Sequence, residues 1–253
     1  MTSLHMLIGL VLSLAIIIFL AILLSRQMLT RRVAISMQVA VLLVMGLALG
    51  GVPNPVAQLD ALVRSLRWGQ ISLLPLLGLG VLLTTALIMG RAFCGYACPL
   101  GTVQELISVP VRRRMIIGST WAGRIRWGFF ILFLALAALT TFYPKWDPFS
   151  IFDLRWALLP AIAIGVIVVA SLFIYRPWCE LLCPFGALAS LITRKSVFRL
   201  HRTDECTDCG RCVRACPTEG PKEGGTPERC YYCGRCIAVC PHGALRFGRR
   251  PRG

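Results

Sequence analysis

The chain alternates long, almost unbroken apolar stretches with short basic or loop-forming segments. Five stretches are nearly free of charge: Leu4–Leu24, Val33–Val52, Ile71–Gly90, Trp127–Tyr143 and Leu159–Tyr175. Crossing ~30 Å of hydrocarbon takes about 20 helical residues, because each backbone N–H and C=O must find its partner inside its own segment. All five therefore read as membrane spans, the fourth and fifth near the short end of the range. The first has no Lys or Arg ahead of it and is long for the apolar core of a signal peptide, so it predicts a retained helix. After the fifth the pattern breaks, and from about residue 196 Gly, Pro, Cys and charge replace the apolar runs. The pattern predicts an all-α membrane domain of about five transmembrane helices, then a small α+β domain.

The segments between the stretches carry weaker patterns. In 52–68, Leu59, Leu62, Val63 and Leu66 recur at helical spacing, with Asp60, Arg64 and Arg67 facing the other way. That predicts an amphipathic helix lying in the interface, with Trp68 as an aromatic anchor. The segment 144–153 holds Trp146, Phe149 and Phe152 with Asp147 and Asp153. A quinol needs an apolar slot with one or two proton acceptors, and Asp60, Asp147 and Asp153 are the carboxylates on hand. Each also has a plain reading as loop solvation or a cap, and Asn54-Pro55 and Asp147-Pro148 are turn signals.

Composition agrees with a membrane protein: 57% hydrophobic, 15% charged, mean hydropathy +0.72. The net charge of +16 would suit nucleic acid, but its distribution does not. Threading five spans puts 23 of 27 Lys and Arg on one side and only Arg64, Arg67, Lys145 and Arg155 on the other. This bias predicts a multi-pass protein of the cytoplasmic (inner) membrane, N-terminus outside and C-terminal domain in the cytoplasm. The basic tail 246–252 then lies beside anionic membrane lipid, and no nucleic-acid motif is present.

All 12 cysteines fall in four motifs on the predicted cytoplasmic side. Thiols stay reduced there, so metal ligation is the better use for them than disulfides. Cys206, Cys209, Cys212, Cys216-Pro217 and Cys230, Cys233, Cys236, Cys240-Pro241 spell C-x2-C-x2-C-x3-C-P twice. That run holds two [4Fe–4S] clusters, each taking three thiolates from one run and the fourth from the other. One cluster is expected on Cys206, Cys209, Cys212 and Cys240, the second on Cys230, Cys233, Cys236 and Cys216. Structural zinc uses separated Cys pairs instead. His201 and His242 read as surface residues of this domain. With no intramembrane His pair a buried bis-His haem is not expected, and no dinucleotide fingerprint is present.

The other two motifs are Arg91-Ala-Phe-Cys94-Gly-Tyr-Ala-Cys98-Pro99-Leu-Gly101 and Arg176-Pro-Trp-Cys179-Glu-Leu-Leu-Cys183-Pro184-Phe-Gly186, 85 residues apart. Leu73-Leu74-Pro75 and Leu158-Leu159-Pro160 share the offset, and Leu-Arg-Trp stands in both outer loops, at 66–68 and 154–156. A duplicated helical hairpin with a pseudo-twofold axis along the membrane normal follows. The domains are then 1–32, an extra N-terminal helix and loop; 33–195, the duplicated hairpins; and 196–253, the two-cluster domain. Proline suits a first helical turn, so Cys98 and Cys183 should sit just before helices. A helix start and the nearby Arg91 and Arg176 should lower the thiol pKa values. Cys94, Cys98, Cys179 and Cys183 can then surround a further iron–sulfur or thiolate-bound metal centre at the inner membrane face. Cu(I) and zinc are the other occupants soft thiolates suit, and two metal-free dithiol pairs the plain alternative.

The paired C-x3-C-P motifs followed by a two-cluster tail resemble the NapH, MauN and NosR C-terminal group of membrane ferredoxin-type proteins. The resemblance covers about 33–247 and rests on all 12 cysteines. It implies electron transfer from the quinone pool through the membrane part to iron–sulfur centres and other redox subunits of a complex. The spacer between Cys216 and Cys230 is short, and no flavin domain of the NosR type precedes the spans. An assembly or sensing role for copper or iron–sulfur centres is the alternative function, and a purely structural anchor a third.

Overall fold

The computed structural model describes residues 3–69, 72–111, 115, 117–140, 143–153, 157–218, 220–221 and 228–249. The second Leu-Arg-Trp, Arg112 to Arg114, residues 222–227 of the spacer and the tail beyond Arg249 lie outside them.

A helix begins at each of the five apolar stretches. α1 is Ser3–Ser25, and α2 is Arg31–Val41, capped by Thr30 and running on as a π-helix over Leu42–Ala48. α4 is Leu73–Met89, α7 Ser119–Leu139 and α9 Leu158–Phe173, with the short α8, Tyr143–Trp146, between the last two. Among the described residues, three segments are long and apolar enough to cross a membrane: Leu4–Ser25, Arg31–Ala48 and Thr120–Leu139. α4 and α9 have 17 and 16 residues, so the structure differs from five full-length spans. Both begin Leu-Leu-Pro, and a proline is tolerated only in a first turn, where its missing N–H has no helical partner anyway. Pro75 and Pro160 therefore stop either helix from extending backwards. Large apolar side chains stand exposed along α1, α7 and α9, such as Val11, Ile131 and Val166 at 64%, 66% and 61%. Such a surface suits hydrocarbon rather than water.

α3, Pro55–Arg67, departs from expectation. Its first half is buried and packs against α4, α7 and the later helix α10 (Pro184–Thr193) rather than lying flat in the interface. Asn54 caps it, accepting from the Val56 and Ala57 amides, and Pro55 takes the first helical position. The fit is close, since a Cβ on Gly78 of α4 would meet Gln58 at 2.6 Å. Asp60, expected on a wet face, is 1% exposed and pairs with Arg64 one turn on. Periodicity gave the helix but not its surroundings. Trp68 at its end is 77% exposed, as an interfacial anchor requires.

The cysteine motifs form two returns in the bundle. α5, Ala92–Tyr96, and α6, Pro99–Ile107, follow α4; a π-helical turn, Trp178–Leu182, and α10, Pro184–Thr193, follow α9. α10 runs back alongside α4. Leu191, Ile192 and Lys195 lie by Leu83 and Leu87, and the Val197 amide donates to the Leu87 carbonyl. The start of α10 therefore points back towards α3 and the start of α4. Ten helical residues cover about 15 Å, so α10 carries Cys183 back into the bundle from Val197, near which the C-terminal domain begins.

The C-terminal domain is closed by β1, Phe198–Arg202, antiparallel to β2, Leu245–Arg249. Two short helices, α11 Arg211–Ala215 and α12 Arg235–Ala238, each follow the middle of a cysteine run. The sheet is anchored on the helices, β2 against α1 and β1 against α4.

Candidate functional site

The two cysteine runs fold alike. In each, the residue before the second Cys and the Gly after it take positive φ: Asp208 and Gly210, Tyr232 and Gly234. Only glycine does this without steric cost, and the double turn wraps the backbone around the thiols. Two small cavities result. One is lined by Cys206, Cys209, Cys212 and Cys240, with His242 on its wall. The other is lined by Cys216, Cys230, Cys233 and Cys236. Each cavity thus draws three thiols from one run and the fourth from the other. Cys209 is exposed, and the Arg211 backbone N–H holds its thiol below the ordinary range, as a thiolate ligand requires. The second cavity is deeper, and burial pushes the Cys233 and Cys236 thiols up. Among the described residues no three His, Cys, Asp or Glu side chains close around a single metal ion. One zinc takes its thiolates at about 2.3 Å, and a cube of four irons spaces its four thiolates wider.

Cys94, Cys98, Cys179 and Cys183 are all buried and lie within electrostatic reach of one another. Cys98 and Cys183 are the N-caps of α6 and α10, with proline at the next position. The expected lowering of their pKa values is overturned. Burial pushes the Cys94 thiol up to about 12, Cys179 adding to it and Arg91 and Arg176 opposing. Burial raises Cys98, Cys179 and Cys183 too. Desolvation outweighs both the arginines and the helix starts. Without a cation the four are therefore neutral thiols, and a metal held here would have to displace their protons.

The halves interlock through their motif arginines. Arg176 donates to the Cys94 carbonyl at 2.6 Å, and Arg91 to the Cys179 carbonyl at 3.3 Å. Both guanidiniums are fully buried. The glycine of each motif leaves room for this contact, since a Cβ on Gly101 or Gly186 would strike the Cys94 or Cys179 carbonyl. Two buried carboxylates balance the charge. Glu105 pairs with Arg176 at 3.2 Å, Arg31 at 2.9 Å and Arg235 at 3.0 Å, and accepts from the Tyr175 hydroxyl. Glu180 pairs with Arg91 at 3.5 Å and with Arg229, and accepts from Tyr231. Burial alone would raise both carboxyls; their arginines outweigh it and hold them below the usual range. Arg229, Tyr231 and Arg235 belong to the C-terminal domain, so its second cavity is clamped onto the four-thiol site. Tyr175 and Tyr231 line that cavity. The sequence reading missed this network. The signal was there, since an ionisable residue within an apolar segment is a functional candidate by default and Glu105 and Glu180 are two of only 11 acids.

The three carboxylates considered for a quinol separate. Asp60 is paired inside α3 and Asp153 is exposed. Asp147 accepts from the Tyr143 hydroxyl at 2.8 Å, the Asn54 amide at 2.7 Å and the Phe149 backbone N–H at 2.9 Å. Burial nevertheless raises its pKa to about 6, the three donors opposing.

A family model described as "4Fe-4S binding domain" matches 71–117 and again 156–203, and a second of the same description matches 201–222 and 226–246. The first pair repeats the 85-residue offset and shows that a helix with its cysteine motif is duplicated. Among curated relatives, the "Putative electron transport protein YccM" of Escherichia coli is 31% identical over 204 residues, 68% of this chain and 55% of that one. "Protein NirI" of Paracoccus denitrificans is 30% identical over 200 residues, 70% of this chain and 29% of that one. "Ferredoxin-type protein NapH" of E. coli is 29% identical over 189 residues, 70% and 59% of the two. The chain thus spans about half the length of such relatives, and less of NirI. No solved structure matches.

Proposed function

The chain belongs to the family of membrane ferredoxin-type proteins that includes NapH, MauN and the C-terminal part of NosR, and from that premise we propose that it is a multi-pass electron-transfer subunit linking the quinone pool to other redox subunits. One [4Fe–4S] cluster would be held by Cys206, Cys209, Cys212 and Cys240, the second by Cys216, Cys230, Cys233 and Cys236. A third thiolate-bound centre would be held by Cys94, Cys98, Cys179 and Cys183. Such clusters supply single-electron acceptance and release. The observation that carries the reading is the cysteine crossover in two adjacent cavities, the deeper docked on the four-thiol site. The chain's own residues do the positioning. Arg91, Arg176, Glu105 and Glu180 fix the motif backbones and the distance between the sites, while Tyr175 and Tyr231 keep water from between them.

Iron and sulfide analysis with electron paramagnetic resonance of the dithionite-reduced protein tests this. At least about eight irons per chain and interacting half-spin centres are expected from two four-iron cubes. Cys209→Ser should damage one centre and Cys216→Ser the other, although the two residues stand in one run. Tightly bound zinc without labile sulfide would overturn the assignment. Copper retained by the C-x3-C motifs would favour the assembly role instead.

A further inference from the structure

Arg126 stands on the inward stripe of α7. The buried positions of that helix are Ala122, Arg126, Phe130, Phe133 and Ala137, and Arg126 is 4% exposed. Arg124, two residues earlier, is exposed and lies over the Trp121 ring, as an arginine near a helix end does when it reaches for water. Arg126 turns the other way. Its Nε and Nη1 atoms have no hydrogen-bond partner among the described residues. Glu180 is within its electrostatic reach, but Arg91 and Arg229 already hold the two oxygens of that carboxylate. In this part of the bundle four buried arginines, Arg91, Arg126, Arg176 and Arg229, stand against two buried glutamates, Glu105 and Glu180. Two positive charges are left over, and half-buried Arg31 and Arg235 add to them. Four neutral thiols answer none of this charge. An unpaired charge inside a bundle is costly, which is reason to ask what it serves.

We propose that Arg126 is a counterion of the filled four-thiol centre, an unpaired cation that favours the centre's reduced form through its field alone. The proposal rests on the third thiolate-bound centre above and says what charge that centre carries. Four thiolates around a four-iron cube make a dianion when the cube is oxidised and a trianion once it has taken one electron from a neighbouring cluster or a redox mediator. The two surplus arginines match the dianion and favour the trianion over it. Burial works against the trianion, as against any charge in a medium of low dielectric, and fixed cations offset that. Arg91 and Arg176 lie within electrostatic reach of the thiols, but each also donates to a motif carbonyl. Removing either one would disturb the backbone as well as the charge. Arg126 is free of that complication at Nε and Nη1. Its helix packs on the Trp178–Leu182 turn, which carries Cys179 and Glu180. Its charge can be taken away while the motif backbones keep their donors.

The test is a potentiometric titration of the full chain in lipid nanodiscs, followed by electron paramagnetic resonance. The signal that Cys98→Ser removes belongs to the four-thiol centre, and the signal that Cys209→Ser removes belongs to the shallow cluster. Arg126→Met and Arg126→Gln should each make the first centre harder to reduce by about tenfold, which is about 59 mV for one electron. Arg126→Lys keeps the charge and should keep the wild-type midpoint. The shallow cluster should titrate unchanged in all three, which also shows that they are folded. If the Met variant does not fold, the Gln variant carries the same comparison. A midpoint that stays put in the Met and Gln variants, or falls as far in the Lys variant, would overturn the counterion role and leave the third centre standing. A Cys98→Ser protein that loses neither signal nor iron removes the third centre itself, and the counterion role falls with it. Zinc at the four thiols, which takes no electron, would overturn the proposal too.

Discussion

At Gly186 a single hydrogen stands where a methyl group would lie 2.8 Å from the Cys179 carbonyl, which already accepts from Arg91. Neither the buried arginine nor the motif backbone has space to yield. Gly186→Ala should cost about 1–3 kcal/mol as overpacking and should disturb the four-thiol centre while sparing both ferredoxin clusters, read by spin quantitation of each signal. Asp147 responds to pH instead. Its folded pKa of about 6 lies above the ordinary 3.8, so its charged form is disfavoured in the fold. The acid form is fully present below 3.8, and the stability it brings is lost as pH rises through about 6. Asp147→Asn never ionises. It should melt with wild type at pH 4 and above it at pH 8, by a few kcal/mol at most, since each pKa unit is about 1.4 kcal/mol. A variant less stable than wild type at pH 8 would show that the carboxylate's hydrogen bonds outweigh its desolvation.

Helices carry the arginine–glutamate clamp. Glu105 on α6 gathers Arg31 from the start of α2, Arg176 after α9 and Arg235 at the start of α12. Glu105→Gln leaves three guanidiniums facing a neutral amide, one of them fully buried. Removing one partner of such a pair costs about 3–5 kcal/mol. Limited proteolysis near residue 196 should release the C-terminal domain faster in this variant, with its own two clusters intact. An unchanged cleavage rate would mean that the sheet contacts to α1 and α4 hold the domain alone. The helices themselves were readable in advance. Apolar runs gave α1, α2, α4, α7 and α9, and proline after Cys98 and Cys183 gave the starts of α6 and α10. Periodicity could not give the partners. Asp60 reads as wet because its neighbours on the wheel are charged, yet it lies in the first half of α3, which is buried in the bundle. The motif thiols read as activated because arginine and helix start are local signals, whereas the burial that overrides them comes from elements distant in sequence, such as α2 on α5 and α7 on the Trp178–Leu182 turn. Tyr143 and Asn54 carry no spacing that marks them; only packing brings both onto Asp147.

Across the whole molecule, charge and packing describe the same polarity. The end of α1 meets β2, and Arg31 donates to the Cys233 carbonyl at 3.0 Å. The basic residues after α1 therefore share a side with the cysteine domain, and the start of α1 lies at the helix's far end. On the positive-inside rule, the 23-to-4 division of Lys and Arg under five spans predicts that this shared side faces the cytoplasm. The shallow cavity, with exposed Cys209, would then face cytoplasmic partners, and the deep one the membrane interior. An N-terminus outside and a C-terminal domain inside would call for an odd number of crossings. Fusions of a cytoplasm-active and a periplasm-active reporter after Gly253 decide the matter. Only the cytoplasmic one should be active there, and only the periplasmic one within 144–157, between α7 and α9. The reverse result would put all 12 cysteines in an oxidising compartment. The reduced thiols on which every cluster assignment depends would then need another explanation.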